Sequence, residues 1–482
     1  MKAVSSAAPL ATAALLLLAG CTVGPNYAPP AVSAPEAFRT AEPAAAASSS
    51  TNSFADLGWW DVYEDPQLKA LITEALTNSW DLQIASSRIL QAEAQAGITR
   101  SQELPSVYAG GDITDARGSE RGKTKVARGM DTHVRYGDLF AFAPSYEIDF
   151  WGRIRRANEA ALARLLAAEE SERLVRQTLV AQVATTYFEL LEYDLELQIG
   201  RSSYINRTNS LDLTQSRESG GVASLQDVYQ SKMLVAAAES SIVNAQRQIG
   251  QAENALSILL GRDPGPVGRG APLKEQKVRD LVPPGLPSSL IARRPDIRAA
   301  EQSLVAANAD IGQAKAAFYP QVTLTGTFGY QTKSFSDLFS SPARTWQFGP
   351  SVQVPLFTAG RLQSEVKLAQ ARFDEALATY QKTVQNAFRE VSDALIAYQR
   401  SQEFFAKQLE LTQANRDAAA LASVRYLGGV TSYLEVLYNE QQLFDAELKL
   451  AQARRNELLS VVQLYGALGG GWAQPPAEQA AR

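Results

Sequence analysis

The chain has 482 residues, of which 45% are hydrophobic and 20% are charged, with a formal net charge of −5. This length corresponds to about three average domains, and the apolar content suffices for a core. The mild acidity argues against a nucleic-acid partner, because such proteins need a basic face. One His and one Cys exclude most metal sites built from imidazole or thiolate, and a lone Cys excludes a disulfide scaffold. We expect no metal and no cofactor.

The N-terminus has the features of a secretory signal. Lys2 precedes an apolar run, and small residues follow. Leu18-Ala19-Gly20-Cys21 resembles the bacterial lipobox, in which the Cys becomes the first residue of the mature chain and carries lipid. We predict a lipoprotein signal peptide over 1–20 and lipidation of Cys21, with Thr22 favouring the outer membrane. The alternative is an ordinary signal peptide with a Cys there by chance.

Proline- and glycine-rich segments divide the rest of the chain into two halves. Residues 31–53 are rich in Ala, Pro and Ser, and a second such run extends from Gly261 to Pro287. The halves repeat each other, because an offset of 215 relates Asp81 to Asp296 and an offset of 208 relates Arg217 to Arg425. The predicted organisation is an acylated N-terminal tether (21–58), a first repeat (59–263), a Pro/Gly linker (264–288), a second repeat (289–468) and a C-terminal tail (469–482).

Each repeat contains a predicted β-hairpin, at 105–150 and at 320–357. From Phe140 to Phe150 apolar side chains occupy even positions, and similar alternation follows Val322 and Trp346. A soluble sheet with one face on a core fits this pattern. Segments of about ten residues with aromatic side chains at their ends also fit a membrane β-barrel.

A long helix is predicted after each hairpin. Between Gly152 and Gly220 there is no Pro and a single Gly, so a helix there would run roughly 100 Å. Apolar residues from Phe373 to Tyr398 step by alternating threes and fours, which is typical of a coiled coil.

Four strands are too few to close a membrane barrel, which needs about eight. The pattern therefore predicts several copies that share one barrel above a helical tube.

Three motifs carry a family resemblance. The motifs are Trp59-Trp60 followed by Tyr63-x-Asp65-Pro66-x-Leu68, then Arg293-Arg294-Pro295-Asp296-Ile297-Arg298, and finally Tyr426-x-Gly428-Gly429-Val430-Thr431-Ser432. They resemble the outer-membrane factors (TolC/OprM-like) of tripartite efflux systems, in the NodT-type outer-membrane lipoprotein branch.

The resemblance implies a mainly α fold with a membrane β-barrel. Each chain would give four β-strands and long coiled-coil helices to a trimeric twelve-stranded β-barrel plus a periplasmic α-barrel. The implied partners are two further copies, a periplasmic adaptor (membrane fusion protein), an inner-membrane transporter of the RND type, and outer-membrane lipid through acylated Cys21. The implied function is a passive duct, not an enzyme, that exports small amphiphilic compounds and is opened at its periplasmic tip by the adaptor.

The two Gly-Gly pairs, Gly220-Gly221 and Gly428-Gly429, predict tight turns between helices, because Gly supplies the left-handed conformation that ends a helix. By resemblance, adaptor tips dock beside these turns. Plain helix-hairpin turns are the other interpretation, and the two are compatible.

The resemblance also implies a periplasmic gate just beyond the turns. Glu435 matches an acidic family position, and Asp227 is its repeat partner. The sequence departs from the family pattern at Thr431 and Tyr438, where relatives can carry acids, so Tyr433 or Tyr438 are candidates for steric narrowing. Arg217 and Arg425 are candidates for ion pairs that hold neighbouring hairpins shut. Alternatively, Asp227 and Glu435 are solvated acids favoured by the helix dipole.

Patterns that suggest an enzyme are incomplete. Gly118-x-x-x-Gly122-Lys123-Thr124 is one residue too short for a phosphate loop, and His133 is expected to be a loop residue without a metal-binding partner. Pro295 is expected to start a helix instead of joining a catalytic cluster. Two other functions stay open: a protein-secretion duct, and a structural envelope lipoprotein, which would not explain strands at matched places. The cargo, the adaptor and the pump are not determined by the sequence.

Overall fold

The computed structural model describes residues 22–32, 35, 54–119, 132–277 and 287–472. The predicted signal peptide and Cys21 lie outside these residues, as do most of the tether, part of the linker and most of the C-terminal tail. The helices are α1 (Trp59–Val62), α2 (Pro66–Asn78), α3 (Trp80–Ser101), α4 (Arg153–Ser219), α5 (Leu225–Leu259), α6 (Pro287–Arg293), α7 (Pro295–Ala316), α8 (Arg361–Leu427) and α9 (Tyr433–Ala467). The strands are β1 (Tyr108–Arg117), β2 (His133–Glu147), β3 (Gln321–Thr332) and β4 (Arg344–Gln353).

The chain divides into two compact units, each built from separate stretches. The first draws on residues within 1–31, 89–168 and 300–380 and contains the whole sheet. The second draws on residues within 32–88, 169–299 and 381–482 and contains both helix turns. Throughout the described ranges, each helix is too short or too polar to cross a membrane.

The helices repeat in length. Helices α4 and α8 have 67 residues each, and α5 and α9 have 35 each. Each 67-residue helix follows a glycine with positive φ, Gly152 at 79° and Gly360 at 83°, a conformation that side chains with a Cβ disfavour. The prediction of two long helices without interruption is confirmed.

The sheet is a four-stranded antiparallel meander in the order β1-β2-β3-β4. The predicted alternation along β2 is wrong in one respect. A register shift between Ala143 and Tyr146 inserts an extra residue opposite β3, so Phe142 and Tyr146 point to opposite faces of the sheet. A bulge of this kind reverses the alternation, which the sequence pattern alone does not reveal.

His133 is not a loop residue, contrary to the prediction. It is the first residue of β2, pairs with Arg117 of β1, and contacts the carboxylate of Asp115 at 2.5 Å. Strand β2 begins before the apolar alternation does, because residues with polar side chains at the hairpin end also pair with β1. Residues 122–124 of the phosphate-loop-like motif lie outside the described residues.

The predicted tether begins with a packed segment. Val23 N donates to Trp151 O at 3.0 Å, and Asn308 Nδ2 donates to Pro25 O at 3.0 Å. A Cβ on Gly24 would lie 2.4 Å from the Cα of Gly312, so this crossing of the segment over α7 requires glycine. The segment directly after Cys21 is therefore bound to the first unit by specific backbone contacts.

Arg294 and Pro295 organise the start of α7, which begins at Pro295 as predicted. The guanidinium of Arg294 is buried and donates to Asp296 at 2.7 Å and to Glu390 at 2.7 Å. It also donates to the carbonyl of Ala467 at 2.9 Å. This arginine joins α7 to α8 and α9, and its role is structural.

Candidate functional site at the hairpin tips

Both predicted turns are helix C-caps with the same hydrogen bonds. Gly221 and Gly429 have φ of 74° and 72°. In the first turn, Val222 N donates to Arg217 O at 2.8 Å, and in the second, Val430 N donates to Arg425 O at 2.9 Å. This backbone bond, together with the left-handed glycine, defines a Schellman motif. Gly220 and Gly428 precede the left-handed residues, and both turns lie in the second unit.

The second turn brings three of the predicted gate residues together. Arg425 Nη1 donates to Glu435 Oε1 at 3.0 Å, and the Thr431 hydroxyl donates to the other carboxylate oxygen. The pair is partly exposed, so water screens its attraction. This ion pair lies within one hairpin; pairing between subunits stays a prediction.

Asp227 has a different local role from its repeat partner Glu435. Its backbone N–H donates to the Ser224 hydroxyl at 3.2 Å, and its carboxylate accepts from Ser224 N at 3.0 Å. This reciprocal arrangement is a capping box, which starts α5. Ser432, at the matching position before α9, has no side-chain capping bond. Only Asp227 is used as a cap, and the carboxylate of Glu435 is bound to Arg425 instead.

The two candidate tyrosines differ in exposure. Tyr433 is 5% exposed, and its ring centroid lies 5.1 Å from that of Tyr426. The Ser231 hydroxyl lies 2.9 Å from the hydroxyl of Tyr433. Tyr438 is 64% exposed. Tyr433 therefore packs inside the subunit, and Tyr438 presents its ring to the surroundings. The buried cluster at the tip consists of Leu234, Ala422, Tyr426, Tyr433, Val436 and Leu437.

Arg217 links the two turns through an aromatic ring. Its guanidinium lies 4.6 Å from the ring centroid of Tyr426, in cation–π geometry. Burial raises the pKa of Tyr426, an effect that nearby Arg217 opposes. The phenol of Tyr426 thus stays neutral at ordinary pH. The contact between Arg217 and Tyr426 joins α4 to α8 within one chain, and it is a cation–π contact, not an ion pair.

The sequence alone does not indicate the contacts that Tyr426 and Ser231 make at the tip. Tyr426 is part of the turn motif, whereas Ser231 belongs to none of the motifs in the sequence. The sequence signal for Tyr426 is an aromatic residue in the last turn of a helix, two residues before Gly428. The sequence has no such signal for Ser231, because its contact with Tyr433 forms only when α5 packs against α9.

Known proteins match the chain along almost its whole length. The family profile described as outer membrane efflux protein matches residues 71–262 and 286–470. The chain belongs to the outer membrane efflux protein family. Two separate matches to one family agree with a chain built from two related halves.

Individual members of the family are similar to this chain. It is 36% identical to the solvent efflux pump outer membrane protein SrpC of Pseudomonas putida over 466 residues, covering 95% of this chain and 97% of that protein. It is 32% identical to the cation efflux system protein CusC of Escherichia coli over 460 residues, covering 95% of this chain and 97% of that protein. The open-state crystal structure of the Neisseria gonorrhoeae MtrE outer membrane channel superposes with a TM-score of 0.83 at 30% identity, covering 94% of this chain and 99% of that chain. The predicted efflux family and fold class are confirmed.

Proposed function

We propose that three copies of this chain form the outer-membrane duct of a tripartite efflux pump that exports small amphiphilic compounds. The observation that carries the proposal is a sheet with open edges and an exposed apolar face. Within the described residues, β1 and β4 each have a single neighbouring strand. Unpaired strand edges cannot face lipid, so the sheet requires partners. Three copies would supply twelve strands, enough to close a β-barrel.

Helix α3 supports an assembly of several copies. It exposes Ile84, Leu90 and Ile98, which are 50%, 64% and 60% accessible in the single chain. A solvated helix would place polar side chains at such positions. Burial of these three side chains against a second copy would stabilise the assembly by the hydrophobic effect.

In this assembly the protein performs no covalent chemistry. The helix turns at Gly220-Gly221 and Gly428-Gly429 form the periplasmic end, where a periplasmic adaptor docks and connects the duct to an inner-membrane transporter. Acylated Cys21 anchors each copy in the outer membrane. The name of one relative mentions solvents, which favours small apolar or amphiphilic cargo, and the name of another mentions cations.

Intracellular accumulation of a panel of dyes and antibiotics tests the function. We expect accumulation to rise several-fold on deletion of the protein. Restoring the intact chain should reverse the rise, whereas Cys21→Ser and Gly429→Val chains should not. Unchanged accumulation, with trimers present in the outer membrane and the adaptor and pump co-expressed, would contradict small-molecule efflux and favour protein export.

The gate proposal makes a separate prediction about conductance. Three copies of Glu435, each held by Arg425 and Thr431, would form a ring at the tip, with Tyr438 narrowing the opening. Glu435→Ala removes the acceptor of both contacts, so we expect a higher single-channel conductance in planar bilayers. The matched control is Glu447→Ala, which breaks the Arg416–Glu447 pair (2.9 Å) further along α9. Equal conductance for Glu435→Ala and the intact chain would exclude Glu435 from the constriction.

A further inference from the structure

The sheet has two faces of different chemistry, defined by its register. The rungs Leu139–Tyr330–Arg344 and Ala141–Phe328–Trp346 place their side chains on the same face. We call it the apolar face. Its large exposed apolar side chains are Ile113, Leu139, Leu324, Phe328, Trp346, Phe348 and Val352.

The opposite face is more polar. It carries Asp112 opposite Asp138, and Thr327 opposite Gln347, together with the aromatic residues Tyr108, Phe140 and Phe142. In the proposed assembly, which this inference presupposes, a face with carboxylates and amides lines the aqueous interior. The apolar face is then the one that meets lipid.

Arginines border the apolar face at its hairpin end. Arg117 is four residues beyond Ile113, Arg135 is four residues before Leu139, and Arg344 is two residues before Trp346. Because side chains on one face recur every second residue, all three belong to the apolar face. Each is exposed. They lie where the strands end toward the hairpin connections, away from the ends that lead into the helices.

Charged and aromatic side chains lie together at this border. Asp115 lies opposite Arg135 in the ladder and also contacts His133. Among the described strand residues of this border, the apolar face thus presents three guanidinium groups together with the carboxylate of Asp115. Among these positions, Tyr330 lies opposite Arg344, which sets an aromatic ring beside a cation. Aromatic and basic side chains together are typical of a membrane interface.

We propose that Arg117, Arg135 and Arg344 bind the phosphate groups of phosphorylated lipids whose acyl chains cover the apolar face. Guanidinium groups match phosphate oxygens with paired, charge-assisted hydrogen bonds. A lipid satisfies both features at once, because its headgroup meets the arginines and its chains meet Ile113, Leu139 and Trp346. A soluble anion would contact only the border, and an acidic protein would leave the apolar face uncovered.

The test measures lipid binding to the detergent-purified trimer by native mass spectrometry. The probes are bisphosphorylated lipid A and the same lipid after removal of both phosphates. We expect the phosphorylated form to bind at least tenfold more tightly to the intact chain. The triple variant Arg117→Gln, Arg135→Gln, Arg344→Gln should lose most of this difference while keeping its trimer mass and circular dichroism.

A matched control removes the same charge elsewhere. The variant Arg361→Gln, Arg389→Gln, Arg400→Gln changes three exposed arginines of α8. It should bind phosphorylated lipid like the intact chain. If both triple variants lost the preference for phosphorylated lipid equally, the preference would come from the net charge of the protein, and the proposal would be overturned. Equal binding of the two lipids to the intact chain would also overturn it. Competition by millimolar inorganic phosphate alone would identify a free-phosphate site instead.

The lipid proposal and the efflux proposal can fail separately. Lipid binding is measured on the purified trimer without adaptor or pump, whereas efflux is measured as dye accumulation in cells. Selective binding of phosphorylated lipid without efflux would overturn only the proposed efflux function. Efflux by a trimer that binds both lipids equally would overturn only the proposed lipid site.

Discussion

Replacing Asp65 by alanine is expected to lower the free energy of unfolding by about 3–5 kcal/mol, since it removes a cap and leaves buried donors unsatisfied. Asp65 is buried at the N-cap of α2, where its Oδ1 accepts from Gln67 N at 2.8 Å. Its Oδ2 accepts from the Tyr187 hydroxyl at 2.8 Å and from Gln276 Nε2 at 2.5 Å. One carboxylate thus holds α2, α4 and the segment before α6 together.

The backbone at Gly270 packs closely against this carboxylate and its partner Tyr187. Gly270 N donates to the Tyr187 hydroxyl at 2.9 Å, and a Cβ on Gly270 would lie 2.3 Å from Asp65 Oδ1. Denaturant unfolding followed by circular dichroism measures the effect. Glu64→Ala, the exposed neighbouring acid, is the control and should change stability by less than about 0.5 kcal/mol. Similar midpoints for both variants would disprove the role of Asp65.

Replacing Arg455 by methionine is expected to destabilise the protein by about 3–5 kcal/mol at pH 8.5, because a buried carboxylate loses its counter-charge. Glu192 of α4 is 1% exposed, and its Oε2 accepts from Arg455 Nη1 of α9 at 2.5 Å. The charged groups around it are Arg455, Glu189 and Glu196, and Glu196 itself accepts from Gln452 at 3.3 Å.

The pH dependence of this variant has a definite sign. Burial raises the pKa of Glu192 to about 7, and Arg455 opposes the rise. The folded state therefore binds a proton more tightly than the unfolded state, so the contribution of Glu192 to stability falls as the pH rises from the ordinary value of 4.5 toward 7. Without Arg455 the pKa rises further, and the loss continues above pH 7. The destabilisation should thus be smaller at pH 5.5 than at pH 8.5, by up to about 2 kcal/mol.

Two companion variants separate the charge effect from lost packing. The double variant Arg455→Met, Glu192→Gln should recover most of the stability at pH 8.5 and flatten the pH dependence. Arg416→Met breaks the more exposed pair with Glu447 and should cost no more than about 1 kcal/mol. An Arg455→Met cost that does not change between pH 5.5 and 8.5 would contradict this account.

Regular patterns made the elements of this fold predictable. The absence of Pro between Gly152 and Gly220, and the Gly-Gly pairs, predicted two long helices that end at tight turns, because a helix boundary depends on local backbone conformation. The motif around Arg294 and Pro295 predicted the start of α7 and the efflux family. The strand alternation failed beyond Ala143, because a bulge depends on how β2 pairs with β3. His133 was misassigned for a similar reason, since the ladder with Arg117 extends past the apolar pattern.

The sequence by itself determined the repeat, the helix lengths, the turns and the family, because each depends on residues close together along the chain or on motifs. Only the tertiary structure decided how the candidate gate residues differ: Asp227 caps its helix, Glu435 binds Arg425, Tyr433 is buried and Tyr438 is exposed. Partners distant in sequence create these differences, among them Ser231 with Tyr433 and Arg217 with Tyr426. Repeat-related positions look equivalent along the chain and become distinct when α5 and α9 pack together.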